Sequence, residues 1–219
     1  MWALREYFPN ASSLLEVGCG TGFVLAALNT RCPGLRVAGG ELSPAAIEIA
    51  RSRVPEVPVF QLDARRLPFE SEFDVVAAFD VLEHIEDDEG VLAQMARATT
   101  AQGGVLVAVP QHPWLWGAVD DFSGHVRRYT RRELARKVER AGLQVVRVTS
   151  FVSLLLPVVA VSRLARKGSA EAYDPRVEFA MPRGVDRVFE RLMWLERKLI
   201  ERRVGFPVGS SLLAVATRT

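Results

Sequence analysis

The sequence predicts an α/β protein, a mostly parallel β-sheet with helices on both faces. Two observations carry this. From Ser13 to about Thr149, short apolar runs alternate with stretches of helical period, the order that βαβ units require. Runs such as "FDVVAAF" and "GGVLVAVP" contain almost no polar alternate, so both of their faces are buried. At 219 residues the chain has the length for one domain with a sizeable core.

The elements follow in order. Strands are read at "SLLEVG", "RVAGG", "VPVFQL", "FDVVAAF", "GGVLVAVP" and "LQVVRVTSF", and a last one at "SLLAVAT". Helices are predicted at Phe23–Asn29, Pro44–Arg53, Glu86–Thr99 and Arg131–Ala141. Ser43 before Pro44 is an N-cap with proline at the first helical position. Thr130 with Glu133 reads as a capping box, and Gly142 stops that helix. Ahead of the first strand, Trp2, Leu4 and Phe8 fit one short covering helix. The segment 151–205 breaks the rhythm: an apolar stretch, a loop around "RKGSAEAYDPR", then Val185, Val188, Phe189, Leu192, Leu195 and Leu199 at helical spacing. The reading is a single domain, residues 1–219, with a helical insertion or cap before its last strand.

Composition excludes several classes. A net charge of +2 without a Lys/Arg block argues against nucleic acid. Cys19 and Cys32 form no ligand pattern and suit a reducing cytoplasm. "MWALREYFPN" shows no export signal, and "FVSLLLPVVAV" is too short to span a bilayer.

The chemistry starts at "EVGCGTG". Gly18, Gly20 and Gly22 let a ligand approach bare main chain after the first strand. A dinucleotide fingerprint would want a glycine where Phe23 stands, and no Lys-Ser/Thr follows for a P-loop. The ligand therefore lacks a pyrophosphate. Glu41, followed by Leu42, ends the second strand, where a carboxylate accepts from ribose hydroxyls. Asp63, followed by Ala64, ends the third, within reach of an exocyclic amine. Glu16 adds negative charge near the loop, suited to an amine or sulfonium. Amine, ribose, adenine and no phosphate describe S-adenosylmethionine.

In order and spacing, "EVGCGTG", "GGELSP", "QLDARRLPF", "FDVVAAFDVLEHIED" and "GGVLVAVP" resemble the class I S-adenosylmethionine-dependent methyltransferases. The branch most resembled is type 11/12, which includes ubiquinone- and menaquinone-biosynthesis enzymes. The resemblance covers roughly Leu14 to Gly142 plus the last strand. It implies a Rossmann-like, seven-stranded sheet whose final strand runs antiparallel. It also implies S-adenosylmethionine as co-substrate, with Gly18, Gly20 and Gly22 along the methionine and ribose, Glu41 on the ribose, and Asp63 with Ala64 at the adenine. Asp80 falls beside the methionine end. Cys19 shares the loop and reads as a small filler rather than a nucleophile.

For the acceptor, the candidates lie in "FDVLEHIEDD" and "QHPWLWGAVDDFSGHVRRYT". His125 is the preferred base, with His84 second. Asp80, Glu83, His84 and His125 also offer an O/N set for a divalent metal, but Glu83 and His84 equally read as a helix start, where an acid is favoured anyway, and the expectation is no metal. Arg127, Arg128 and Tyr129 either recognise substrate or brace the next helix. Trp114 and Trp116 either wall an acceptor or pack. The predicted activity is methyl transfer, at oxygen, to a small-molecule or lipid-like acceptor. A non-catalytic S-adenosylmethionine-binding or partner module of the same fold is the alternative. The apolar-then-basic "FVSLLLPVVAVSRLARK" is a candidate peripheral membrane contact, and monomer and homodimer both stay open.

Overall fold

A computed structural model of the chain describes residues 1–165 and 183–218. Seven strands make one sheet: β1 (Ser13–Val17), β2 (Arg36–Glu41), β3 (Val59–Gln61), β4 (Phe73–Phe79), β5 (Thr99–Pro110), β6 (Leu143–Phe151) and β7 (Ser211–Arg218). Their spatial order is β3-β2-β1-β4-β5-β7-β6. β7 runs antiparallel to both β5 and β6, and the other pairings are parallel. The expected sheet and its reversed last strand are both present.

Burial explains the near-continuous apolar strands. Leu14 and Leu15 point to opposite faces, and both are buried; so are Val75 and Val76. One face packs on α1 (Trp2–Tyr7), α2 (Phe23–Arg31) and α3 (Pro44–Arg53) through Leu4, Leu25, Leu28, Ile47 and Ala50. The other packs on α4 (Asp88–Ala98) and, after the short α5 (Ala118–Phe122), on α6 (Arg131–Arg140), through Val91, Leu92, Met95, Leu134 and Val138. Each such aliphatic side chain contributes about 1.5–3 kcal/mol when fully buried.

The helix ends carry the predicted chemistry. Ser43 Oγ accepts from Ala46 N, with Pro44 at the first position. Thr130 Oγ1 accepts from Glu133 N at 3.2 Å while the Glu133 carboxylate reaches the Thr130 N–H. The fourth helix differs from expectation. Asp87, not an earlier residue, caps it by accepting from Gly90 N, and Leu82–His84 form a separate 3-10 turn. Thr99 opens β5 by pairing with Phe73, so that strand starts four residues before Gly103.

In the 151–205 segment, α7 (Leu156–Ala165) and α8 (Arg183–Glu201) are helical. The "RKGSAEAYDPR" loop lies outside the described residues. On α8 the apolar spacing is the inward face only in part: Phe189, Leu192 and Leu199 are partly buried, Val185, Val188 and Leu195 remain exposed, and Glu196 is fully buried. Glu196 turns inward because its Oε2 accepts from the N–H groups of Ser153 and Leu154, at 2.7 and 2.8 Å. Among the described residues, no helix is long and apolar enough to cross a membrane.

Register sets the site. Val17 of β1 pairs with Gly40 on one side and Ala78 on the other. Just beyond, Gly18 and Glu41 therefore leave the sheet side by side, and Asp80 follows one residue later, after Phe79. Strand order reverses at β1, and the crevice at such a switch point is where open α/β sheets bind ligands.

Candidate active site

A cleft of about 720 Å³ opens at these strand ends. It is lined by Gly18, Gly20, Glu41, Leu42, Asp63, Ala64, Asp80 and His84, all expected from sequence, and by Leu62, Arg65, Val81, Ile85, Glu86 and Asp87, which were not. Glu16, Cys19, Gly22 and His125 do not line it. A larger hollow of about 820 Å³ lies between α1, α8 and the sheet and carries none of the predicted site residues. The cleft-lining residues include none from 151–165 or 183–205.

The loop is held from below and left open above. Gly18 has φ +70°, and a Cβ there would stand 2.4 Å from Val81 Cγ2. Gly20 has φ +52°, and a Cβ there would meet nothing within 4 Å. Packing therefore requires the first glycine, whereas the second is bare toward the cleft. Gly22 is the left-handed N-cap of α2.

Glu41 ties the loop to β2. Its Oε2 accepts from Gly20 N, and its Oε1 accepts from Leu42 N and Ser43 N, each at 2.9 Å. Asp63 is paired in bidentate fashion with Arg65, at 2.7 Å for the closest contact. The guanidinium hydrogen bonds hold its carboxyl down at about 2.

Glu16 behaves differently from its sequence reading as a negative charge. It is buried, Oε2 has no partner, and desolvation pushes its pKa up to about 8. Burial thus favours its neutral form at neutral pH. Cys19 is buried beside it and its thiol is pushed up to about 12, chiefly by burial and then by Glu16 and Glu41. That agrees with a filler and removes it as a nucleophile.

At the other end of the cleft stand the histidines. The rings of His84 and His125 meet edge to face, 4.7 Å between centroids. Burial, then His125, lowers the His84 pKa. Asp80 sits at the cleft with φ +54°; desolvation raises its carboxyl, while the two histidines pull it down. Glu83 is buried with neither carboxylate oxygen partnered, and burial pushes it up to about 8. Ligand atoms of Glu83, His84 and His125 lie within 4.8 Å of one another; Asp80, the fourth of the O/N set, does not join that group.

Sequence reasoning missed Asp120. It is fully buried, and Oδ1 receives His125 Nδ1 at 2.9 Å and Arg128 Nε at 2.7 Å. Oδ2 accepts from Gly117 N at 2.9 Å, and Arg163 of α7 stands 4.0 Å away. Burial alone would raise Asp120, but these partners hold it below its ordinary value. In sequence it looks like a local cap three residues after Gly117; its side-chain partners His125, Arg128 and Arg163 follow no periodic spacing that would give a signal.

"GHVRRYT" braces the fold. Arg127 pairs with Glu86 and Asp88, each at 2.9 Å, Arg128 is buried on Asp120, and buried Tyr129 donates to Asp88 at 2.7 Å. Trp116 donates to Asp121, and Trp114 is exposed with His112 at its side. Neither tryptophan lines the cleft.

Comparison with known proteins agrees with this geometry. Residues 15–108 match the family model described as "Methyltransferase domain". A dTDP-4-amino-2,3,4,6-tetradeoxy-D-glucose N,N-dimethyltransferase of Saccharopolyspora spinosa is 37% identical over 61% of this chain and 54% of its own length. A trans-aconitate 2-methyltransferase of Enterobacter sp. is 32% identical over 49% of this chain and 43% of its own. The match thus spans about half the length of these curated relatives. Among solved structures, an S-adenosylmethionine-dependent methyltransferase of Mesorhizobium loti superposes with a TM-score of 0.64 at 16% identity, over 99% of this chain and 96% of that one; at that identity the likeness shows the fold. S-adenosylmethionine is the co-substrate that this family implies. Over residues 15–108 the chain is thus similar to the class I S-adenosylmethionine-dependent methyltransferases of the type 11 branch.

Proposed function

We propose that this chain transfers the methyl group of S-adenosylmethionine to a hydroxyl oxygen of a small-molecule acceptor in the 720 Å³ cleft. The observation that carries the reading is one cavity in which bare backbone at Gly18 and Gly20 is ringed by the acids Glu41, Asp63 and Asp80. Such a lining suits a nucleoside cation and repels phosphate.

In this reading Glu41 takes the ribose hydroxyls, and its three amide bonds fix the carboxylate beforehand. Asp63, with Ala64 and Leu42, meets the adenine once Arg65 swings away; that pair is solvent-exposed, so exchanging it costs little. Asp80 marks the methionine end, and Glu16 ionises under the bound cation. The co-substrate supplies an activated methyl group. The chain's own tasks are alignment, exclusion of water and removal of the acceptor's proton. As the new C–O bond forms, the S–C bond breaks, sulfur keeps the electron pair, and the hydroxyl proton leaves at the end where Asp80, His84 and His125 gather. The 151–205 segment serves as a helical cap of the same domain, supported by Arg163 standing against the Asp120 hub.

Both relatives act on small polar molecules by name, which favours such an acceptor over a lipid, and the first makes nitrogen the competing acceptor atom. The test is calorimetry with S-adenosylmethionine, followed by methyl-labelled S-adenosylmethionine with pooled hydroxylated and amino metabolites. Binding and a labelled O-methyl product are expected. A product labelled only on nitrogen would move the acceptor atom, and tight NADH binding without response to S-adenosylmethionine would overturn the reading.

A further inference from the structure

The structure points to a divalent transition-metal site formed by Glu83, His84 and His125 beside the cleft, and we propose that it binds an ion of the Zn²⁺ class. Three observations support it. The ligand atoms already lie within 4.8 Å of one another. An ion at about 2.1 Å from each draws them to within about 4 Å, a closure that side-chain rotation supplies. Second, Glu83 is fully buried and neither of its oxygens has a hydrogen-bond partner. Buried polar atoms are rarely left so, and a cation at this point satisfies both. The Glu83 main chain is fixed on the same segment, its carbonyl accepting from Val126 N at 2.7 Å. Third, His125 already has the carboxylate partner that metal-bound imidazoles carry. Asp120 holds its Nδ1 at 2.9 Å and is itself fixed by Arg128 and Gly117, leaving Nε2 for the ion.

Two imidazoles and one carboxylate suit zinc, manganese, iron, cobalt or nickel, whereas magnesium and calcium prefer an all-oxygen shell. Such a set leaves coordination positions open. His84 lines the cleft, so an acceptor hydroxyl placed there has an ion within reach to lower its pKa. Both imidazoles are then ligands, and Asp80 is the nearby group free to receive the proton. This role rests on the proposed methyl transfer; the ion-binding site itself does not.

The test keeps the two apart by using neither acceptor nor turnover. The protein is stripped with EDTA, dialysed, and titrated with Zn²⁺ by calorimetry and with Co²⁺ by visible absorption, while S-adenosylmethionine is titrated separately. One equivalent of metal per chain is expected, with the d–d bands of nitrogen-ligated cobalt. Glu83→Gln should weaken Zn²⁺ at least tenfold while the S-adenosylmethionine titration is retained. Should that variant not fold, His84→Gln, at an exposed position, serves in its place for the Zn²⁺ titration alone, because His84 lines the cleft. Absence of stoichiometric binding by the stripped protein, or equal affinity in the variants, overturns the site and leaves Glu83 a buried acid beside two imidazoles in edge-to-face contact. Loss of S-adenosylmethionine binding by the unmodified protein would instead strike the methyl-transfer reading.

Discussion

Two glycines, two residues apart, should fail in different ways when each receives the same methyl group. At Gly20 the backbone is left-handed and a Cβ meets nothing within 4 Å. Alanine there costs only the conformational term, about 1–2 kcal/mol, or a melting temperature lower by roughly 2–8 °C for a chain of this size. The added methyl, however, stands on backbone that lines the cleft. A nucleoside bedded on that backbone is displaced, and S-adenosylmethionine affinity should fall at least 100-fold, about 2.7 kcal/mol. At Gly18 the same atom would lie 2.4 Å from Val81 Cγ2, far inside the contact distance of about 3.5–4.0 Å. Overpacking of about 1–3 kcal/mol then adds to the left-handed penalty, so Gly18→Ala should lose about 2–5 kcal/mol of stability. Val81→Ala in the same chain should restore the packing part and not the rest. Thermal melts and calorimetric titration of both variants decide the matter. A Gly20→Ala protein that binds S-adenosylmethionine within twofold of the parent would refute the placement of the ligand on this loop.

Glu41→Gln should lower stability by about 1–3 kcal/mol, because one amide oxygen cannot serve three N–H donors, and should weaken S-adenosylmethionine at least tenfold; full affinity in calorimetry would remove Glu41 as the ribose acceptor. Glu16, whose folded pKa of about 8 exceeds its ordinary 4.5, keeps between those values a proton that the unfolded chain has released. Its contribution to stability therefore falls as pH rises through the window, by at most about 1.4 kcal/mol per pH unit, and urea melts of Glu16→Gln should show a shallower decline from pH 5 to 8. By the same linkage, S-adenosylmethionine binding at pH 7 should release up to about one proton, seen as a dependence of the calorimetric enthalpy on the buffer's ionisation heat, and Glu16→Gln should abolish it. Asp88→Asn strands Lys137, Arg127 and the Tyr129 hydroxyl, which meet the carboxylate at 2.6, 2.9 and 2.7 Å. A loss of about 3 kcal/mol in urea unfolding is expected, at the low end for a broken buried pair because both cations are partly exposed.

The sheet was legible because its signals are local. Apolar runs of strand length, Pro44 behind Ser43, Thr130 with Glu133 and Gly142 each act within a few residues. The cofactor end was legible for a related reason: strand tips are adjacent by topology, so reading where three strands stop already places Gly18, Glu41 and Asp63 together. The acceptor end was less so. His125 earns its position through Asp120, Arg128 and Gly117, which the chain brings together over a non-repeating segment. The role of Arg127, Arg128 and Tyr129 turned on partners such as Asp88, some forty residues earlier. On α8 the hydrophobic spacing marked the partly buried Phe189, Leu192 and Leu199 but not Glu196, which accepts from two amide donors ahead of another helix, a tertiary preference that no periodicity encodes.

Four of the buried acids divide by whether the fold supplies them with a counter-charge. Asp88 and Asp120 are desolvated yet held below their ordinary pKa, each by hydrogen bonds from Lys or Arg and a third donor. They are structural anions, and they pin the 112–131 segment to α4, α6 and α7. Glu16 and Glu83 are as deeply buried but lack such partners, and both are pushed up to about 8. An unpaired buried carboxyl costs stability when it ionises, so a chain selected for stability alone would gain by replacing either with an apolar residue of similar volume. Neither lines the cleft, but Glu16 stands two residues before Gly18 and Glu83 directly before His84, both of which do. Two uncompensated acids flanking one cavity are what a site requires if its positive charges arrive with its ligands. In the proposed reading the sulfonium would complete one of these pairs and a metal ion the other.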